Sequence, residues 1–317
     1  MQKRCYSLIL MVLLLTACAH RAAKIPPTPP KAIKTKQTRH LKSFNQIDVQ
    51  GQFNVSVHTG YKQPEISLSG DSRDLAAIKL MVSDNTLHLI LGKGYPAHGP
   101  VYADIKGRFL NRLMAQDALK ITGPRLHTSV LDIHLKNTGT VQLSGAIGLR
   151  VLDIDGKGLN QISGISSQNL QISLKGSPKV QLIGVAHLAS LSTEGNSWLS
   201  LYWVKTDNLT IRAKNASLIQ LAGAVNRLDV ELWGTAKYKG RYLRAQRSFV
   251  KTHGRSVAEI SVAKHQSNMA TDASDIYYFN LPSTRADFMA LDGSVLDMRE
   301  WNQLELKDFD RYNHQYP

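Results

Sequence analysis

Aliphatic residues alternate with polar residues along most of the chain, and the alternation is interrupted at nearly constant intervals. The interruptions fall every 19 or 20 residues, at the turn-forming positions Asp117, Asn137, Gly156, Gly176, Gly195, Asn215, Gly234, Gly254, Ala273 and Gly293. Alternation with a period of two predicts β-strands that turn one face inward. A repeat of about twenty residues is typical of solenoids, whose repeats bury their apolar faces against one another.

When the repeats are aligned on the turn residue, the aliphatic residues fall into columns. The columns before the turn contain Leu131, Ile133 and Leu135 in one repeat, and Leu170, Ile172 and Leu174 in another. Strands of about four to six residues fit such repeats, and stacked coils would lie about 4.8 Å apart. We therefore predict an all-β fold, a single-stranded parallel β-helix (β-solenoid) of about 9–10 coils of 19–20 residues, with N- and C-terminal caps.

Two outward-facing columns have a regular polar composition. In the first column the charge alternates in sign from coil to coil: Lys136, Asp155, Lys175, Glu194 and Lys214. The second column is rich in amides: Gln142, Gln161, Gln181, Ser200 and Gln220. We interpret the charged column as exposed ion pairs and the amide column as a structural ladder. A binding role for either column remains the alternative.

The first residues read as an export signal. Lys3 and Arg4 are followed by an apolar stretch over residues 6–15, which is too short to span a membrane as a helix. The stretch ends in Leu15-Thr16-Ala17-Cys18, which resembles a bacterial lipobox. We therefore predict a lipoprotein signal peptide over residues 1–17 and a lipidated Cys18 that anchors the protein in a membrane. An ordinary signal peptide with a chance cysteine is the alternative.

The remaining chain divides by composition into three parts. Residues 18–43 are predicted to be the lipidated cysteine followed by a basic, Pro-rich, disordered linker, because no acidic residue occurs there. Residues 44–298 are predicted to form the β-helix domain, in which 44–100 repeat irregularly. Residues 299–317 are predicted to be a C-terminal cap or tail.

The positive charge is concentrated in the N-terminal segments. The formal net charge is +15, but the signal and the linker hold nine of these charges, and residues 44–317 keep +6. The high net charge is therefore weak support for nucleic-acid binding, and we predict no nucleic-acid partner. A basic tether beside anionic lipid head groups and a solvated spacer are equally compatible with the linker.

Cysteine and histidine usage argues against a metal or redox centre. Cys5 and Cys18 are the only cysteines, and Cys5 leaves with the predicted signal, so no disulfide or cysteine nucleophile is expected in the exported domain. The histidines of the repeats are scattered without ligand spacing. We predict no metal site and no cofactor.

Some acidic residues could in principle support polysaccharide cleavage, because paired carboxylates can act as acid and base. The candidates are Asp132, Asp153 and Asp155 on neighbouring coils, and the pair Asp229 and Glu231. All are predicted to lie on outward strand faces rather than in a cleft. We expect a polar outer face there, with catalysis as the alternative.

The aromatic residues are the strongest candidates for a binding site. Eight residues after the turn, the repeats carry the corner glycines Gly145, Gly164, Gly184 and Gly223, but two repeats have Trp203 and Tyr242 instead. Trp198, Tyr202, Trp233 and Tyr238 occur in nearby coils. Exposed aromatic patches often mark binding sites, so we predict a glycan or partner site formed by these six residues. Packing beneath a loop or against the C-terminal cap is the alternative.

The start of the domain has a recognisable strand pattern. It reads Phe44-x-x-Ile47-x-Val49-x-Gly51-x-Phe53-x-Val55-x-Val57, followed by Ile66-Ser-Leu68-Ser-Gly70-Asp71 and Asp84-Asn85-Thr86-Leu87-His-Leu89. This pattern resembles the family of putative autotransporter adhesins with a head GIN domain, over residues 44 to about 280. The resemblance implies a β-helix in an exported or lipid-anchored bacterial protein, and it supplies no catalytic residues.

These observations lead to one functional prediction and two alternatives. We predict a non-catalytic cell-envelope lipoprotein, anchored through Cys18 in the outer membrane of a Gram-negative bacterium, that presents its β-helix as a binding or adhesin-like module. Ala19 favours the outer membrane by resemblance to Gram-negative lipoproteins. A polysaccharide-active enzyme built on a β-helix and a structural envelope protein that binds other proteins are the alternatives.

Overall fold

The structure is a computed structural model that describes residues 34–279 and 283–298. The predicted signal peptide (1–17), the predicted lipidation site at Cys18 and the predicted C-terminal cap or tail (299–317) lie outside the described residues. None of the helical structure in the described residues has the length and hydrophobicity that crossing a membrane requires.

The described residues form strands almost throughout, with one short helix. The elements are β1 (Lys34–His40), β2 (Gln46–Gln50), β3 (Phe53–His58), β4 (Glu65–Asp71), α1 (Ser72–Ala76), β5 (Ile78–Ser83), β6 (Thr86–Leu91), β7 (Val101–Lys106), β8 (Arg112–Gln116), β9 (Lys120–Lys136), β10 (Thr140–Thr193), β11 (Trp198–Ala213), β12 (Leu218–Leu232), β13 (Lys237–Thr252), β14 (Val257–Thr271), β15 (Asp275–Tyr278), β16 (Arg285–Leu291) and β17 (Ser294–Asp297). The longest strands continue around the corners of the coils.

The predicted parallel β-helix is confirmed. From β8 onward each coil pairs in parallel with the next, so that equivalent aliphatic residues lie directly above one another. In one inner column Val180 pairs with Leu199, and Leu199 pairs with Ile219. All three side chains are fully buried. Because no single coil can enclose its own apolar face, the stack is stabilised by contacts between successive coils.

The turn residues fall where the repeat predicts, except at the last two turns. Asn137 and Asn215 adopt the left-handed φ that the glycines adopt at the equivalent positions. Near the C-terminus this φ occurs at Asp272 (58°) and Asp292 (61°) rather than at the predicted Ala273 and Gly293. Aspartate tolerates the left-handed region better than alanine does, because its short polar side chain can hydrogen-bond locally. The Asp272 carboxylate accepts the N–H of Gly254 at 2.9 Å.

The N-terminal part is irregular because its coils do not stack in chain order. Strand β2 lies between β6 and β8, and β3 lies between β7 and β9. The first parallel strands of the chain, β2 and β3, therefore lie inside the stack; β6 and β7 then build the outermost parallel coil, and the chain returns on the other side of β2 and β3 to continue the solenoid. Antiparallel pairs of β5 with β6 and of β4 with β7 and β1 terminate the stack and form the N-terminal cap.

The structure corrects the linker prediction for Lys34–His40. These residues form strand β1, which pairs with β4 from Lys34–Asp71 to His40–Glu65. The strand was missed because its side chains are mostly exposed and show no apolar alternation. An edge strand needs only one partner and no buried face, and its charged side chains discourage pairing with another chain.

The interior becomes polar in the C-terminal coils. In one inner column, Leu228 is followed by Ser248 in the next coil and by Gln266 in the coil after that. In the adjacent inner column, Val250 is followed by Asn268. Gln266 and Asn268 are buried, yet neither amide has a hydrogen-bond partner in the described part of the chain. A buried unpaired amide is costly, so these coils are the least favourably packed part of the interior.

Candidate functional site

The structure places three of the six predicted aromatic residues at one corner of the solenoid. Trp203 has a φ of 71°, close to the 76° of the corner glycine Gly164. The predicted alignment with Gly223 is wrong by one residue, because the register places Val204 and Leu243, rather than Trp203 and Tyr242, beside that glycine. Tyr242 pairs with Ala222 in the neighbouring coil. In the preceding coil, Leu201 pairs with Leu221 and Val204 pairs with Gly223. Tyr202 and Trp203, which lie between these pairs, therefore stand opposite the single residue Ala222. These three aromatic residues therefore flank Ala222 from adjacent coils.

Trp233 lies elsewhere, in the column of residues that directly precede the turns. Its ring stacks on His253 of the next coil, with the ring centroids 5.9 Å apart and an interplanar angle of 17°. The Lys214 ammonium of the previous coil lies 5.5 Å from the ring centroid. Neighbouring coils thus cover the faces of this ring, which leaves them unavailable for stacking on a sugar.

Tyr238 is a core residue and cannot belong to a surface site. Its side chain is fully buried, in the inner column between Ile219 and Ala258. Its ring lies against Gly240, where an added Cβ would stand only 2.3 Å from the ring. The small residues Gly240 and Ala258 provide the space that an aliphatic column would otherwise fill. Burial raises the pKa of the Tyr238 hydroxyl, and the hydroxyl has no partner in the described residues.

We expect Tyr238→Phe to stabilise the protein by about 1 kcal/mol, because it removes a buried, unpaired hydroxyl without changing the ring packing. Chemical denaturation of both proteins measures the change in the free energy of unfolding. Tyr277→Phe is the matched control, because the Tyr277 hydroxyl donates to Asp275 and its loss brings no such gain. A destabilised Tyr238→Phe variant would show that the hydroxyl has a partner.

The carboxylates that were considered as an alternative catalytic site are mostly paired with basic side chains. Asp132 is buried and accepts hydrogen bonds from Arg150, with Arg112 at 3.7 Å. The Arg150 guanidinium holds the pKa of Asp132 below its ordinary value, so this carboxyl is ionised at neutral pH and cannot serve as a general acid.

The other candidate carboxylates follow the same pattern. Arg212 contacts both Asp229 (3.1 Å) and Glu231 (3.2 Å), and His134 lies 3.6 Å from Asp153. Asp155 pairs in register with Lys136 of the adjacent strand. Among the described residues, no group of three or more His, Cys, Asp or Glu side chains could hold a metal ion.

The amide column forms a hydrogen-bonded ladder on the outer face of the solenoid. Gln142 Nε2 donates to Gln161 Oε1 at 3.2 Å, and Gln161 Nε2 donates to Gln181 Oε1 at 3.2 Å. The ladder lines a shallow depression of about 530 Å³, flanked by Pro124 and Ile183. We call this depression the amide groove and define it by Thr122, Pro124, Gln142, Gln161, Gln181 and Ile183.

The amide groove continues toward the N-terminal cap. A second depression of about 380 Å³ shares Thr122 with the amide groove and is lined farther along by Tyr102, Lys120 and Lys36. In the opposite direction, Ser200 and then Gln220 extend the amide column. The column runs parallel to the stacking axis, but Ser200 is only 3% exposed, so the accessible amide ladder spans the three coils of Gln142, Gln161 and Gln181.

Two of the predicted aromatic residues border this column. Tyr202 pairs with Ile183, and both side chains are exposed, by 38% and 54%. Trp198 lies two residues before Ser200 on the same strand, so alternation directs both side chains to the same outer face. The sequence identified the amides and the aromatic residues separately, and their juxtaposition depends on the register between coils.

The comparisons with known proteins identify a family. A family model described as "Putative auto-transporter adhesin, head GIN domain" matches residues 43–190 and 171–282. No curated protein matches the chain significantly.

Three solved structures are similar over most of their length. A putative adhesin from Parabacteroides merdae is 13% identical in sequence, with a TM-score of 0.42. The alignment covers 84% of the present chain and 97% of the adhesin. A putative lipid binding protein from Parabacteroides distasonis is also 13% identical, with coverages of 84% and 97% and a TM-score of 0.40. A putative adhesin from Parabacteroides distasonis is 12% identical, with coverages of 84% of the present chain and 98% of the adhesin and a TM-score of 0.43. Because the family model spans most of the domain, the chain belongs to the putative auto-transporter adhesin family with a head GIN domain.

Proposed function

We propose that this protein is a non-catalytic, adhesin-like binding module of the cell envelope that holds a linear, uncharged glycan along the amide groove. The observation that carries the proposal is the ladder of three hydrogen-bonded glutamines beside the exposed side chains of Ile183 and Tyr202. The family membership is consistent with a protein of the cell envelope or surface.

The chemistry of the ladder suits sugar hydroxyls. The central Gln161 uses one N–H and one oxygen lone pair within the ladder, which leaves one donor and one acceptor available to a ligand. The three glutamines lie on successive coils, at intervals of about 4.8 Å along the axis. A polymer with regularly spaced hydroxyl groups can satisfy such a row. The lining of the amide groove contains no charged residue, which favours an uncharged ligand.

The backbone of the groove argues against a peptide ligand. The strands beneath the groove already pair with the coils on both sides, so an added peptide strand would find no open edge there. Only side chains are presented outward. Tyr202 and Trp198 add ring surfaces on which a sugar can stack, close to the amides that would fix its orientation.

The pairing of the carboxylates supports a binding role rather than catalysis. Glycosidases require one carboxyl group that can donate a proton and a second one at a suitable distance. Asp132 is kept ionised by Arg150, and Asp229 and Glu231 share Arg212. The groove itself is lined by amides, hydroxyls and apolar groups.

We expect Gln161→Ala combined with Tyr202→Ala to weaken glycan binding by at least about tenfold, because hydrogen bonds and a stacking surface are lost together. A glycan array followed by titration calorimetry measures the affinity. Gln168→Ala combined with Tyr95→Ala is the control, because both side chains are exposed and outside the amide groove.

Three outcomes would contradict the proposal. They are unchanged binding in the groove variant, an equal loss in the control, and release of shorter sugars from any bound glycan. Crosslinking in intact cells that recovers an envelope protein through the groove, without glycan binding, would favour the structural alternative.

We further infer that Cys18 is lipidated and anchors the protein in the outer membrane, on the basis of the lipobox-like Leu15-Thr16-Ala17-Cys18 and of Ala19. Cells supplied with labelled palmitate should incorporate the label into this protein. Cys18→Ser should abolish the labelling and release the domain from the membrane fraction. Labelling that survives this substitution would rule out Cys18 as the anchor.

A further inference from the structure

Three loops form one ordered corner at the N-terminal end of the solenoid. The N–H of Gly60 donates to the carbonyl of Arg108, and the N–H of Tyr61 donates to that of Gly107, both at 3.1 Å. The N–H of His127 donates to the Thr59 hydroxyl at 2.9 Å. These hydrogen bonds join the loop around residues 59–62, the loop around 107–109 and the corner at 125–127. The backbone of this corner is therefore held in one arrangement.

The corner exposes two aromatic rings, each beside a cation. Phe109 is 57% exposed and Tyr61 is 43% exposed. The Arg108 guanidinium lies 5.1 Å from the centre of the Phe109 ring, and the Lys106 ammonium lies 5.5 Å from that of Tyr61. An aromatic ring beside a cation suits the boundary between lipid head groups and acyl chains, where one end of each group is apolar and the other is hydrated.

The charge of the corner is positive after internal pairing. Glu65 pairs with Lys106, and Asp104, which lies 2.9 Å from His58, contributes at most one negative charge. Lys62, Arg108 and Arg125 form no ion pair with any described residue. We call the surface formed by Tyr61, Lys62, Lys106, Arg108, Phe109 and Arg125 the basic aromatic corner.

We propose that the basic aromatic corner docks onto an anionic lipid membrane. The cations would contact head-group phosphates, while Phe109 and Tyr61 would insert to the depth of the head groups. Each unpaired basic side chain near such a surface strengthens partitioning by roughly fivefold. Three cations around two rings are fewer than the row of phosphate contacts that nucleic-acid binding commonly uses.

The position of the corner in the fold agrees with this role. The corner adjoins the N-terminal cap through the loops before β4 and after β7, and its residues 125–127 belong to the neighbouring coil in β9. In the cap, β1 pairs with β4 and brings His40 beside Glu65. The described chain enters the domain at this same end of the stack. Docking through the corner does not require an acyl anchor. It is also independent of glycan binding, because the amide groove shares no residue with the corner.

The test measures vesicle binding of the full-length chain carrying Cys18→Ser, so that acyl chains cannot supply the interaction. Co-sedimentation should show binding to vesicles of phosphatidylglycerol and phosphatidylcholine that is much stronger than binding to phosphatidylcholine alone. Lys62→Gln combined with Arg108→Gln should weaken binding to the anionic vesicles by more than about tenfold. Added salt should reduce the binding, because exposed charges are screened.

A matched control and a depth measurement separate docking from general attraction. Lys264→Gln combined with Arg285→Gln removes the same charge from exposed positions in the C-terminal coils and should leave most of the binding intact. Phe109→Trp should give fluorescence that brominated lipids quench, in excess of the quenching seen in the parent chain. Equal binding to neutral and anionic vesicles, equal loss in the control, or no additional quenching would each overturn the proposal. The proposal would also be overturned if the corner bound a soluble protein or DNA and excess anionic vesicles failed to compete for that binding.

Discussion

Gly148→Ala should destabilise the solenoid by about 3 kcal/mol or more, because the new methyl group has no space between adjacent coils. A Cβ at Gly148 would stand 1.9 Å from the carbonyl oxygen of Ser129 and 2.6 Å from its carbonyl carbon. Both atoms belong to the backbone of the neighbouring coil, so no rotation of a side chain can relieve the overlap. The coils would have to separate locally, with loss of the hydrogen bonds that join them.

Gly92→Ala is the matched control for this prediction. Neither glycine has a φ in the left-handed region, so the backbone cost of adding a methyl group is similar at both positions. At Gly92 the nearest atom to an added Cβ is Tyr95 Cδ2 at 3.9 Å, which is ordinary contact. Thermal and chemical denaturation should show a large loss for Gly148→Ala and little change for Gly92→Ala. Similar stabilities for the two variants would mean that the coils are not stacked as described.

The second large effect is expected in the opposite direction, from Gln266→Leu combined with Asn268→Ile. Both amides are buried in the C-terminal coils without partners among the described residues, and each such amide costs about 1–3 kcal/mol. Leucine and isoleucine are the residues that the same inner columns use elsewhere, as at Leu209 and Ile211. The double variant should therefore raise the free energy of unfolding by about 2–4 kcal/mol.

The stabilisation should depend on burial rather than on hydrophobicity alone. Gln168→Leu makes a similar exchange at an exposed position and should change the stability by less than about 0.5 kcal/mol. Because a solenoid gains stability from each interface between coils, the gain should appear mainly in the unfolding of the C-terminal coils. Hydrogen exchange resolves this region from the remainder of the stack. Destabilisation by the double variant would show that the amides have partners that favour them.

Unsatisfied polar groups in a core often mark a site whose stability is limited for a functional reason. The polar coil around Gln266 and Asn268 lies directly beneath Phe288, which occupies an inner column but is 48% exposed. This end of the described chain thus differs from the N-terminal end, where antiparallel strands and α1 terminate the stack.

Local sequence patterns were sufficient to predict which side chains face inward, because that orientation depends only on the position of a residue within its strand and repeat. The alternation of aliphatic residues and the repeat length together predict that Val180, Leu199 and Ile219 share one inner column, and the strand register confirms it. The inward orientation of Leu131, Ile133 and Leu135 was predicted in the same way, and all three side chains are buried. These features were predictable because the strand period and the repeat length are properties of the chain itself.

Alignment alone failed where the neighbours decide which residue can be accommodated. Tyr238 was predicted to be a surface residue, but the small side chains of Gly240 and Ala258 make room for it in the core. The last turns shifted to Asp272 and Asp292 because pairing with the preceding coil, and not spacing, sets their register.

By itself, the sequence determined the class of fold, the repeat, the inner columns and the composition of the amide column, because each of these depends on periodicities of two and about twenty. Only the tertiary structure decided the insertion of β2 and β3 between later strands, the use of Lys34–His40 as an edge strand, and the position of Tyr202 beside Ile183 at the border of the amide groove. These features depend on which distant segments become neighbours. That choice is made by the summed packing and hydrogen bonding of the complete stack, and no local pattern encodes it.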